Sequence, residues 1–151
     1  MKGVFVMTIN PTASHELIGN DSIARYILGG KGVVTLKSHT GVHHTYLFES
    51  PASQPSGSDM MFVKTLVGGS EWVYVGIYRN RRFYLTKASK FNKDSAVVRG
   101  VYFILKLMHK PGYSDDRMHL YHMGVCSKCG RPLTNPESIK IGLGPHCRSA
   151  V

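Results

Sequence analysis

The chain has 151 residues, with 19 Lys and Arg against 9 Asp and Glu, for a formal charge of +10. That length suits one ordinary domain with room for a small appendage, and the charge favours polyanions, nucleic acid first and acidic protein surfaces second. The apolar run at residues 3–9 is too short to span a membrane and lacks a signal-peptide cleavage pattern, so no membrane association is expected. A cytoplasmic protein in a reducing compartment is expected.

In chain order, residues 3–9 alternate as a short strand ended by Asn10 and Pro11. Asn20 or Asp21 is placed to cap a short helix with Ile23, Tyr26 and Ile27 on one face, stopped at Gly29 and Gly30. Residues 32–49 read as a hairpin turning at Thr40 and Gly41. Its second strand puts Val42, His44, Tyr46 and Phe48 on one side and His43, Thr45 and Leu47 on the other. His43 and His44 therefore point apart, which argues against a joint metal or nuclease site there. Residues 50–59 are Ser-, Pro- and Gly-rich and read as a flexible loop.

Residues 60–66, 71–78 and 82–86 follow as a meander, with turns at 67–70 and 79–81. Strict alternation in its middle strand sets Val73, Val75 and Ile77 on an aliphatic side and Trp72, Tyr74 and Tyr78 on an aromatic side. Those rings lie beside Arg79, Arg81 and Arg82. Rings that stack bases, next to cations that hold phosphates, are the equipment of a single-strand binder. The same rings would equally serve where two layers meet. Between residues 79 and 110 there are nine basic residues and a single acid, Asp94, and Lys87, Lys90 and Lys93 extend the arginine group.

Asp94 or Ser95 caps the one strongly periodic helix, residues 96–109, whose apolar stripe is Val97, Val101, Ile104, Leu105 and Met108. Pro111 and Gly112 end it, and a polar linker over 111–116 carries the chain to its cysteines.

All 3 cysteines fall in the last quarter. Cys126 and Cys129 form a Cys-x-x-Cys pair followed by Gly130, and Cys147 returns behind a Gly-x-Gly-Pro turn, which is zinc-ligand spacing. A redox pair would instead open a helix in a βαβ setting, and a disulfide would leave one thiol over. Three thiolates need a fourth ligand, for which His122, His146 and His119 stand in that order. His146 adjoins Cys147, and neighbouring side chains rarely converge on one ion. Between the cysteines, Thr134 and Glu137 have capping-box spacing, Pro136 falls in the first turn and Gly142 supplies a stop, so a short helix is expected. Four protein ligands leave no open position, which makes the zinc structural.

The run His122-x3-Cys126-x2-Cys129-Gly-Arg, continued by Leu-Thr-x-Pro-Glu-Ser-Ile and closed by Gly-x-Gly-Pro-x-Cys147, resembles a family of small phage and bacterial proteins of unassigned function. The resemblance is specific over residues 119–148 and loose over about 30–110. It implies a zinc-binding module behind a strand-rich region with an aromatic strand and one helix. It implies His122 as the fourth ligand and a phage or mobile-element origin, and it carries no activity.

The expected fold is α+β: an antiparallel sheet of about five strands packed by one main helix over residues 1–112, then a treble-clef or zinc-ribbon-like module over 113–151. The expected function is a non-enzymatic accessory protein that binds DNA or RNA. Its contacts would be Arg79, Arg81, Arg82, Lys87, Lys90 and Lys93, with Lys128, Arg131 and Arg148 on the zinc module and Trp72, Tyr74 and Tyr78 as stacking rings. The alternative is an inhibitor that docks on a host defence complex, an acidic or nucleic-acid-binding protein. Deaminase, Walker and Rossmann patterns are missing, so neither catalysis nor a small-molecule substrate is expected.

Overall fold

The computed structural model describes residues 15–51, 60–68 and 71–123. The expected strand at 3–9, most of the 50–59 loop and the cysteine segment lie outside the described residues. Within them the order is α1 (Asn20–Ile27), β1 (Lys31–Ser38), β2 (His43–Glu49), β3 (Met60–Val67), β4 (Glu71–Arg79), β5 (Arg82–Tyr84), α2 (Ala96–His109) and β6 (Met118–His122). The strands form one antiparallel sheet in the order β5-β4-β3-β2-β1-β6. The α+β expectation holds: among the described residues the sheet has six strands instead of about five, and the short helix and the main helix both form where they were expected. The sixth strand comes from 118–122, where alternation over five residues is too short to separate a strand from a linker. Its far side bonds to the chain start, Leu17 N–H donating to Leu120 C=O at 2.8 Å.

Both helices lie on one face of the sheet. Their buried residues, Ile23, Tyr26 and Ile27 from α1 and Val98, Val101, Ile104, Leu105 and Met108 from α2, join Val34, Leu36, Tyr46, Phe48, Met61, Val63, Val75, Tyr78 and Phe83 in one core. Helix α2 buries Val98 rather than the expected Val97, which is only partly buried. Its stripe is wide because the sheet and α1 press on it from two directions. Gly100 is where α2 comes closest to the sheet: a Cβ there would run into the Tyr46 hydroxyl. That hydroxyl is fixed, donating to Val97 C=O at 2.7 Å.

The caps divide. Ser95 caps α2 as one of the two expected residues, its Oγ accepting from Val98 N–H at 3.3 Å. Helix α1 instead starts at Gly19 with no side-chain cap. Asn20, expected to cap its own helix, serves the other one. Its Nδ2 donates to Leu107 C=O at 2.6 Å and Lys110 C=O at 3.0 Å, and its Oδ1 accepts from Gly112 N–H at 2.9 Å. It thereby satisfies carbonyls that the end of α2 leaves without helical partners.

The turn between β4 and β5 is two residues long, with Arg79 opposite Arg82. Asn80 and Arg81 both have positive φ, 50° and 68°, as a primed hairpin turn requires.

Candidate nucleic-acid interface

A register shift decides which rings share a face. Lys64 pairs with Tyr74 but Val63 pairs with Gly76, so Val75 is an extra residue in β4. This bulge inverts the alternation beyond it. Tyr78 moves to the helix side, where it is buried, and Ile77 joins Trp72 and Tyr74 on the opposite side. Both placements correct the strict alternation read from sequence. Tyr78 is thus no stacking platform: its hydroxyl, with its pKa raised by burial, hydrogen-bonds His109 Nε2 at 2.9 Å. Burial, and then the charge of Arg81, hold the His109 imidazole below its ordinary pKa, which favours the neutral ring.

The face away from the helices has two unlike halves. Over β1 and β2, Val33, Thr35, Thr45 and Leu47 are buried, and Trp72, Leu66 and Met123 pack on Val33 and Leu47. Thr35 and Thr45 close a hydroxyl pair at 2.8 Å. Over β3 to β5 the register places Phe62, Trp72, Tyr74, Ile77 and Tyr84 together with Lys64, Arg79 and Arg82. Tyr84 is 48% exposed, while Phe62, Trp72, Tyr74 and Ile77 are half-buried. The Phe62 and Tyr74 rings meet edge to face at 6.4 Å, and Tyr74 shares a hydrogen bond with Thr86 at 2.8 Å, so these rings are held in place.

Two shallow pockets on this side each bring rings to a cation. One, of about 220 Å³, is lined by Trp72 and Tyr74 with Lys90, and also by Glu71. The other, of about 360 Å³, is lined by Tyr84, Ile77 and Met60 with Arg79 and Asn80. Lys64 is occupied with Glu49 at 3.0 Å.

Of the residues expected to contact nucleic acid, the structure gathers Trp72, Tyr74, Arg79, Arg82 and Lys90 on one side. Arg81 turns the other way, reaching His109 C=O at 3.5 Å. Lys87 and Lys93 are exposed on the segment between β5 and α2. Lys128, Arg131 and Arg148 lie outside the described residues. Sequence reasoning missed Phe62 and Tyr84, although the alternation of Met60, Phe62, Lys64 and Leu66 and the Arg82, Tyr84 spacing carried the signal.

Of the expected metal ligands, only His122 is described; Cys126, Cys129 and Cys147, and the alternative His146, lie outside. His122 ends β6, fully buried, with its ring stacked on His15 at 4.8 Å and 5.4 Å from Tyr26. Three thiols and an imidazole are the donor chemistry of a closed zinc site, and a fixed, water-shielded ring suits a ligand. His119, the third alternative, is paired to Glu16 at 2.6 Å. Among the described residues no three His, Cys, Asp or Glu side chains converge on a metal-sized site, and no helix is long and apolar enough to cross a membrane.

No curated protein matches the chain, and no solved structure does. Residues 117–151 match the model of a family of unknown function, DUF6011, so β6 and the cysteine segment are similar to a domain with no assigned activity.

Proposed function

We propose that this is a non-enzymatic accessory protein of a phage or mobile element that binds single-stranded nucleic acid on the sheet face opposite its helices. The observation that carries the reading is the alliance of rings and cations there: Trp72 and Tyr74 with Lys90, and Tyr84 with Arg79 and Arg82. Every base has a flat face, so stacking tolerates any sequence, and an alanine at a stacking ring costs about 1–3 kcal/mol per base. The cations hold phosphates and release counterions, so affinity falls steeply with salt. A duplex keeps its base faces stacked internally, which leaves the rings nothing to stack on.

In the same reading Cys126, Cys129, Cys147 and His122 hold a zinc that supplies folding free energy to the cysteine segment. With four protein ligands it takes no part in catalysis.

The test is a titration of single-stranded and duplex oligonucleotides at low salt. Single strands should bind more tightly, and Arg79→Gln with Arg82→Gln should make the salt dependence shallower by roughly 0.7 in log–log slope per lost contact. Failure of both forms to bind ends the proposal. A host complex that survives nuclease and moderate salt would point to a protein partner instead. About one zinc per chain is expected, lost in Cys126→Ser or Cys147→Ser; full retention in a folded His122→Ala chain removes that ligand.

A further inference from the structure

A larger pocket than those two is on the other side of the sheet, where the β1–β2 hairpin, α2 and the segment before β6 border about 520 Å³. That is the size range of small-molecule sites, about 300–1,000 Å³. Its wall is apolar: Leu36, Val42, Phe103 and Met118 line it. On α2, residues 96, 99, 100, 103 and 106 recur at helical spacing and so present one strip to the groove.

The charge around that wall is unbalanced. Three permanent cations, Arg99, Lys106 and Arg117, line the groove with one carboxylate, Asp115. Asp115 is already engaged by Arg117, whose Nη2 and Nε donate to it at 3.0 and 3.1 Å. Arg99 and Lys106 have no such carboxylate, and Lys106 is steadied over the Tyr113 ring at 5.7 Å. His44 also lines the groove, and its Nε2, shielded from solvent, has no hydrogen-bond partner. Buried polar atoms are rarely left so, and burial, followed by the charge of His43, keeps this ring toward its neutral form.

We infer that this groove binds a nucleoside monophosphate. The two excess positive charges match a phosphate dianion, and the apolar wall with Phe103 takes a flat body. A bare phosphate would leave the wall unused, and a bare nucleoside would leave Arg99 and Lys106 unpaired. The site lies across the sheet from the strand-binding face and stands or falls without it.

The experiment is amide chemical-shift mapping of the full chain during titration with adenosine and uridine monophosphates, and separately with nucleoside and inorganic phosphate. The nucleotides should shift Gly100, Phe103 and Met118, with nucleoside and phosphate each binding more weakly. Arg99→Gln with Lys106→Gln, both exposed positions, should weaken the nucleotides about tenfold or more with an unchanged spectrum elsewhere. Arg79→Gln with Arg82→Gln should leave the shifts at Gly100, Phe103 and Met118 in place. Shifts confined to the opposite face, equal affinity in the Arg99 and Lys106 variant, or inorganic phosphate binding as well as the nucleotides would each overturn the inference.

Discussion

The two faces of this sheet are made by the same strands and are built in opposite ways. On the helix side Tyr46, Phe48, Val63 and Val75 are fully buried under Val98, Val101 and Ile104. On the other side, over β3 to β5, Phe62, Trp72, Tyr74 and Tyr84 keep part of their ring surface in solvent beside Arg79, Arg82 and Lys90. Apolar residues alone therefore do not tell a closed core from a half-open face. What separates them is whether a second layer completes the burial and whether cations stand at the margin.

The sharpest way to break the contrast is to truncate one side chain on each face. Ile104→Ala should destabilise the fold by about 2–5 kcal/mol in denaturant unfolding, because it opens a cavity in a closed core. Tyr84→Ala should leave stability nearly unchanged and cost about 1–3 kcal/mol of oligonucleotide affinity; equal stability losses at both positions would show that the second face is also core. A smaller effect is expected from Asn20→Ala, which removes the bonds to Leu107, Lys110 and Gly112. It should cost about 1–2 kcal/mol, whereas Asp21→Ala, beside it and without that role, should be close to neutral.

The smallest expected effect is with pH. His44 and His109 have folded pKa values held below the ordinary 6.5, chiefly by burial. The unfolded chain then binds more protons than the folded one as pH drops below 6.5. Stability should be full above that value, decline below it, and stop declining once the folded rings also protonate. A midpoint of unfolding that stays flat between about pH 7.5 and 5.5 would contradict these two environments.

Local chemistry was legible in the sequence and long-range pairing was not. The hairpin of β1 and β2 and the Ser95 cap each depend on neighbours within a few residues, so turn residues and periodicity were enough. The bulge at Val75 was invisible because it is a mismatch between two strands, and it moved Tyr78 and Ile77 to faces opposite those expected. Asn20 looked like a local cap, yet its bonds go to residues about ninety positions away. The groove beside α2 was likewise hidden, since Arg99, His44 and Arg117 meet only through tertiary structure. Of the expected site, the rings and arginines of β4 and β5 were found by composition. Phe62 and Tyr84 were missed because the alternation within β3 and β5 tells which residues share a side of one strand, while the pairing with β4 tells which side meets Trp72 and Tyr74.

The chain has 1 tryptophan, Trp72, on the face assigned to strand binding, which makes its fluorescence the most direct probe of the central claim. Titration of the protein with a single-stranded oligonucleotide at low salt should quench that emission as a base stacks near the ring, in a saturable way reversed by added salt. Saturable binding, measured independently, that leaves Trp72 emission unchanged would contradict the account.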